Sequence, residues 1–381
     1  MSSVVTDITV APSGAGAPPS SERLAPPVTR FESLDWLRGL LALSIMLYHL
    51  TLWELVQPDA STTLGRLGVY GVSMFFVLSG LSIAIAYNRF LQGPSSTLRF
   101  MVRRVFRIWP LLWITVLSVT AMNLASSKPI SLKVIALNLT TLFGFVSPSS
   151  YMTTGAWSIG NEMVYYALTP LLLLAYRRSR AWGNGLVLAS AGVALVFSQW
   201  LLDPAIPLSR QWATYINPFN NLFLYAAGIA LYFNAGQARR LLVSALLLIV
   251  GLAVFTVYPV GGDTIHIVTG LNRWVFSAAS IGIVFAVYGT SLRLPAWVGA
   301  PLVHLGLATY GVYLLHPVVW QALHLLAPDL ARSWAGWGVL ASVSALTVII
   351  SLLVYHRIEH PMVLLGKRLT SARSSSDPSR P

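Results

Sequence analysis

An arginine and a histidine stand eleven residues apart in the first apolar segment, at Arg38 and His49. Read as a helix, eleven steps of about 100° return to within roughly 20° of the starting direction, about 16 Å further along. Both side chains therefore share one face. An ionisable group inside an apolar helix is costly and is by default a functional candidate. A neutral imidazole there can take a proton from a hydroxyl or briefly carry an acyl group. It can equally be half of an interhelical hydrogen bond. Arg38 can snorkel to an interface, but snorkelling does not account for the face it shares with His49.

Four further places carry chemistry. Arg103, Arg104 and Arg107 precede Pro110. Arg104 and Arg107 are three apart, on one helix face, and guanidinium forks suit phosphate. An ordinary basic anchor at a membrane boundary is the plainer reading. Pro110 is expected to start or kink the helix that follows. Glu162, in the stretch from Trp157 to Tyr166, is the one carboxylate expected well inside the apolar boundaries. It needs a partner there: an acceptor hydroxyl, His49, an arginine or a structural ion pair. Tyr310, Tyr313 and His316 lead to Pro317, where the helix backbone is expected to open. His316 reads as a second polar lining group or as a packing histidine. His266, His304, His324, His356 and His360 have no metal-ligand spacing, so no metal site is expected. The small residues from Gly71 to Gly80 favour close helix packing.

The elements that must position these residues are membrane helices. Hydrophobic residues make up 55% of the 381, charged residues 10%, and mean hydropathy is +0.68. A soluble domain carries about 25% charge. Apolar runs of about 20 residues, each able to span ~30 Å of hydrocarbon, recur at 36–56, 67–88, 108–125, 157–176, 184–202, 218–235, 241–258, 271–289, 304–324 and 335–355. Segment 134–148 is apolar but short and reads as a re-entrant or interfacial piece. The expected fold is an all-α, polytopic membrane bundle of about ten transmembrane helices.

Charge orients it. With both termini cytoplasmic, eighteen of the 25 Lys and Arg fall in cytoplasmic tails and loops and six in outer loops, Arg38 lying inside the first span. That asymmetry is the positive-inside rule. It accounts for the net charge of +13 without a nucleic-acid partner. The chain has no cysteine, which excludes disulfides and thiol catalysis. Residues 1–30 lack an apolar signal region and read as a disordered tail. Residues 31–366 form the membrane domain, and 367–381 a disordered basic tail.

Taken in order, these residues resemble the acyltransferase-three family of integral-membrane acyltransferases. The resemblance rests on Arg38 and His49, on Phe75 to Gly80, on Arg104 and Arg107 ahead of Pro110, on Trp157 with Glu162, Tyr165 and Tyr166, and on Thr309 to His316. It covers about 31 to 366. It implies transfer of an acyl group, most often acetyl, from cytoplasmic acyl-CoA to a hydroxyl of a glycan, an antibiotic or a lipid-linked sugar. It implies that His49 is catalytic and that Arg38, Arg104 and Arg107 meet the donor. Trp36, Met163 and Thr309 depart from the family's usual residues and remove no proposed catalytic group. Only about 15 residues follow the last basic segment, so no fused extracytoplasmic domain is expected.

The expected activity is therefore an O-acyltransferase of the inner membrane acting on a cell-surface or secreted polysaccharide, with acyl-CoA as donor substrate and no permanently bound cofactor. His49 would act as general base, and Glu162 and His316 would orient the acceptor or tune His49. His316, Tyr313 and Trp157 would meet the acceptor. Expected partners are acyl-CoA, a glycan or lipid-linked sugar, membrane lipids and polysaccharide-synthesis machinery. A small-molecule (macrolide-type) acyltransferase shares this chemistry. A sugar transporter without covalent chemistry is the rival from another class, though no repeated halves are visible in the sequence.

Overall fold

The computed structural model describes residues 31–235, 241–289 and 294–371, and every regular element among them is helical. The tail expected over 1–30 lies outside these residues, as does the chain beyond 371. The last helix runs to Ser371, past the boundary expected at 366.

Helices α1 (Glu32–Glu54) and α2 (Thr63–Tyr87) pack antiparallel. α3 (Pro94–Ala125) is followed by two short helices, α4 (Leu132–Leu139) and α5 (Phe143–Val146), and then by α6 (Ala156–Arg178). α7 (Arg180–Val196) ends in a π-helical turn at 197–201, and one turn, α8 (Trp212–Tyr215), precedes α9 (Pro218–Asn234). Next come α10 (Leu241–Val257), a single turn α11 (Ile265–Val268) and α12 (Gly270–Gly289). α13 (Ala296–Leu307) and α14 (Thr309–Leu326) meet at a 67° bend. α15 (Pro328–Ser333) turns the chain into α16 (Trp337–Val354), which passes through a π-helical turn at 355–359 into α17 (His360–Ser371). Caps fix several starts. The Thr62 hydroxyl accepts from Gly65 N–H, Ser179 from Trp182 N–H, and Asn217 caps α9 ahead of Pro218 in its first turn.

Among the described residues, six helices are long and apolar enough to cross a membrane: α1, α2, α3, α7 with its π turn, α12, and α16 continued through α17. The bent α13–α14 pair is a seventh if it counts as one span. The chain is a polytopic helical membrane protein, with fewer full-length spans than the ten expected. α9 and α10 stand where spans were expected but have 17 residues each, about 25 Å of rise against ~30 Å of hydrocarbon. α6 is long enough but carries Asn161, Glu162, Arg177 and Arg178. Segment 134–148 breaks into α4 and α5, 8 and 4 residues long, both too short to cross.

Proline positions also differ from expectation. α3 starts at Pro94 and runs through Pro110. α14 is continuous through Pro317, and the chain bends at Ala308 instead. There Thr309 Oγ1 donates to Gly306 O at 2.8 Å, which satisfies one of the terminal carbonyls of α13. Two arginines expected in outer loops, Arg66 and Arg273, are buried in α2 and α12. Arg66 donates to the carbonyls of Ala60, Tyr258 and Val260 at 2.7, 2.6 and 3.1 Å. Arg273 Nη2 donates to Asn220 O and Asn221 Oδ1, each at 3.0 Å. A sequence window reads a charge beside an apolar run as a loop charge; here the surrounding acceptors draw both inward.

The bundle has two ends. Loops 55–62, 147–155, 202–217 and 258–264 gather at one, tied by Ala60 N–H to Gly262 O and Trp212 Nε1 to Tyr151 Oη, both 2.9 Å. At the other, the start of α1 meets the end of α2 and the first half of α3. α2 is the most buried spanning helix and packs hard on α9. The expected small-residue packing is found there: a Cβ on Gly80 would lie 2.0 Å from Tyr225 O, and one on Gly228 would lie 2.0 Å from Val77 O. Gly80→Val should therefore cost more than about 4 kcal/mol and abolish monodisperse detergent-extracted protein. Gly185→Val, where nothing lies within 4 Å, should leave the yield unchanged.

Candidate active site

His49 sits five residues from the end of α1, near the loop end. Its Nδ1 lies 3.0 Å from His316 Nε2 on α14, 267 residues away in sequence. The rings stack with centroids 5.1 Å apart, and Trp53 stacks on His49 at 5.4 Å and on His316 at 6.0 Å. Trp53 is one helical turn beyond His49, so the i,i+4 spacing was a legible signal that sequence reasoning passed over. His316 is fully buried, and its Nδ1 lies 3.0 Å from Val312 O.

A cavity of about 80 Å³ opens beside His49 at the loop end. Its wall includes Tyr48, Tyr151, Trp157, Trp212, Tyr215 and Tyr313, with Thr154, Gly155 and Thr264 between them. Trp157 and Tyr313 reach the same cavity as His49, whereas His316 is not part of its wall. Tyr313 Oη is held 2.9 Å from both Gly155 O and Ser158 Oγ. Gly155 has φ +87°, a left-handed conformation natural to glycine, and a Cβ there would lie 3.0 Å from the Tyr313 ring. Burial pushes the Tyr151 and Tyr215 phenols up from their ordinary value, so they remain neutral hydrogen-bonding groups. His49 is the only imidazole in the lining, which contains no carboxylate.

The other expected residues gather elsewhere. Arg38 pairs with Asp35 at 2.7 Å and donates to Ser82 Oγ. Arg107 pairs with Glu359 at 2.5 Å and lies over the Tyr310 ring. Among the described residues Arg104 has no carboxylate partner. It donates to Tyr87 Oη at 2.7 Å and lies over the rings of Tyr87, Phe100 and Tyr166, at 5.0, 5.7 and 5.7 Å. Arg104 and Arg107, expected to face the same way, are thus held by different neighbours. Glu162 Oε1 accepts from Ser79 Oγ and Tyr166 Oη, both at 2.5 Å. The structure therefore brings Glu162 next to Arg104 through the Tyr166 ring, not into hydrogen-bonding contact with His49.

Glu359 corrects the expectation that Glu162 is the single deeply placed carboxylate, for it is 1% exposed. It follows the last apolar run, where a composition window ends the span; the π-helical turn at 355–359 carries the helix on and keeps Glu359 inside. Asp35, an i,i+3 partner of Arg38, was a readable signal as well. No group of three or more potential metal ligands occurs among the described residues. The arrangement offers a proton-accepting imidazole in an aromatic cavity at one end and cations suited to an anionic group at the other. Glu359→Ala would strip Arg107 of its counter-charge. Breaking such a pair costs about 3–5 kcal/mol when both groups are buried, and about 3 is expected here because Arg107 keeps 33% exposure. Thermal unfolding in detergent should show that loss, and Arg107→Met with Glu359→Leu should recover most of it.

Comparison with known proteins agrees with this chemistry. A family model described as an acyltransferase domain matches residues 31–356. A protein of Komagataeibacter xylinus named membrane-bound transacylase BcsY is 26% identical over 360 residues, covering 87% of this chain and 83% of its own length. Nodulation protein 10 of Rhizobium leguminosarum bv. viciae is 23% identical over 381 residues, covering 90% of this chain and 96% of its own. No solved structure matches the chain. The chain belongs to the acyltransferase-three family and is a membrane acyltransferase.

Proposed function

We propose that this protein is an inner-membrane O-acyltransferase. It moves an acyl group, most readily acetyl, from cytoplasmic acyl-CoA to a hydroxyl of a cell-surface or secreted polysaccharide. The observation that carries this reading is the placement of His49. It lines an aromatic cavity at the loop end, while Arg38, Arg104 and Arg107 lie at the opposite end of the bundle. In this reading both termini are cytoplasmic and the arginine end is the cytoplasmic mouth, consistent with the positive-inside asymmetry. Donor phosphates meet Arg104 first, since Arg38 and Arg107 already hold carboxylates. The pantetheine arm then runs along α1 toward His49, about 16 Å by helix rise.

The acceptor enters from the loop end. Aromatic rings offer flat apolar faces with polar tips, and six of them line the cavity. A sugar ring, apolar on its C–H faces and polar at its hydroxyls, fits such a wall. The acceptor hydroxyl oxygen attacks the thioester carbonyl carbon and its proton passes to His49. The new C–O bond forms, the C–S bond breaks, and the leaving thiolate takes that proton from His49 and departs as free CoA thiol, which restores the neutral imidazole. Glu162 accepts from Ser79 and Tyr166 and so holds the Tyr166 ring against the Arg104 guanidinium.

The test is label transfer by purified protein from radiolabelled acetyl-CoA to extracted envelope glycans. His49→Ala should lower the rate about 10²–10⁴-fold, the typical loss of a general base. Arg104→Ala should chiefly raise KM for the donor, as expected when a contact is equal in ground and transition states. A folded His49→Ala protein with an unchanged rate would contradict the reading.

A further inference from the structure

The hydrogen bond between the two histidines carries information about protons as well as position. His316 Nδ1 lies 3.0 Å from Val312 O. A carbonyl oxygen only accepts, so His316 Nδ1 carries a hydrogen. In the neutral ring Nε2 is then a lone pair. His49 Nδ1 lies 3.0 Å from that lone pair, so His49 must be the donor. Neutral His49 is therefore held with its hydrogen on Nδ1 and its lone pair on Nε2.

Among the described residues Nε2 of His49 has no hydrogen-bond partner, yet it is not sealed from solvent as Trp36 Nε1 and Arg273 Nε are. His49 is half-buried and lines the cavity, whereas His316 is fully buried behind it. Among the described residues no carboxylate hydrogen-bonds either ring; nearby Glu54 is taken by Trp320 Nε1 at 2.6 Å and His324. In many acyl-transfer enzymes a buried carboxylate fixes the tautomer of a catalytic imidazole. Here a neutral imidazole occupies that place. The substitution suits a membrane interior, because a neutral pair buries no charge in the resting state. When Nε2 takes a proton, the charge is met by the His316 lone pair and by the stacked face of Trp53.

We propose that His316 is a positioning residue of the transfer reaction: by accepting the Nδ1 hydrogen of His49 it leaves Nε2 as the one nitrogen able to take the acceptor's proton. This rests on the reading of His49 as the base. Of the two roles expected for His316 from sequence, orienting the acceptor or tuning His49, it assigns the second.

Steady-state kinetics with acetyl-CoA and the glycan acceptor test it on three variants, each checked for monodispersity and thermal stability. His316→Leu removes the acceptor atom and should lower kcat about a hundredfold, within the range that a base supplies, with donor KM changed less than about twofold. His316→Gln places an amide oxygen near the former Nε2 and should stay within about fivefold of wild type. His49→Gln should be inactive. Equal losses in His316→Leu and His316→Gln, or an unchanged kcat in His316→Leu, would overturn the proposal while leaving His49 as base. An active His49→Gln would overturn both. Nitrogen-15 spectra of histidine-labelled wild type give a readout that needs no active variant. The His49 signals, assigned by their loss in His49→Gln, should show a protonated Nδ1 and a bare Nε2, and the reverse pattern would refute the proposal.

Discussion

Water is scarce inside a membrane bundle, so a polar side chain there must be answered by protein groups. That constraint orders the whole interior. Arg66 is answered by backbone carbonyls and Arg273 by Asn220 and Asn221. Arg38 and Arg107 are answered by carboxylates, Glu162 by two hydroxyls, and His49 by a second histidine. The answers differ in charge, and the difference divides the molecule. The Arg38–Asp35 and Arg107–Glu359 pairs stand toward the arginine end, near the aqueous interface in the proposed orientation. The catalytic candidate stands in a neutral setting.

The division depends on a few close packings. α2 runs through the middle of the bundle and approaches α9 at Gly80 and Gly228, where only a hydrogen fits. The same helix presents Ser79 to Glu162 and Ser82 to Arg38. α14 bends away from α13 at Ala308 and carries both Tyr313 and His316 to the cavity side of α1. Arg104 is the exception. It has a hydroxyl and three ring faces but no carboxylate. An uncompensated guanidinium beside two compensated ones is the natural place for an incoming phosphate to bind.

Much of this was legible in the sequence, and the losses have physical causes. Arg38 and His49 lie on one helix, α1, as expected; Arg38 meets Ser82 of α2 and His49 meets His316 of α14. Apolar runs located α1, α2, α6, α9, α10 and α12. The runs placed α9 and α10 to within a residue and cut α1, α2 and α6 short by two to four residues at their starts or ends, where polar residues still continue the helix. Pro317 suggested a break that the helix absorbs, and Ala308, which carries no such mark, is the bend. Arg66 and Arg273 were counted as loop charges and Glu359 was not singled out, since periodicity along one helix does not report what the next helix offers. The meeting of His49 and His316 across 267 residues is tertiary information of the same kind.

The central claim is that donor and acceptor reach one imidazole from opposite ends of the bundle. Its most direct test seals radiolabelled acetyl-CoA inside proteoliposomes and supplies glycan only outside, with protein orientation scored by protease. The account predicts that label appears on the external glycan, in proportion to the protein whose arginine end faces the lumen. Transfer that occurs only when donor and glycan share one side of the bilayer would contradict it.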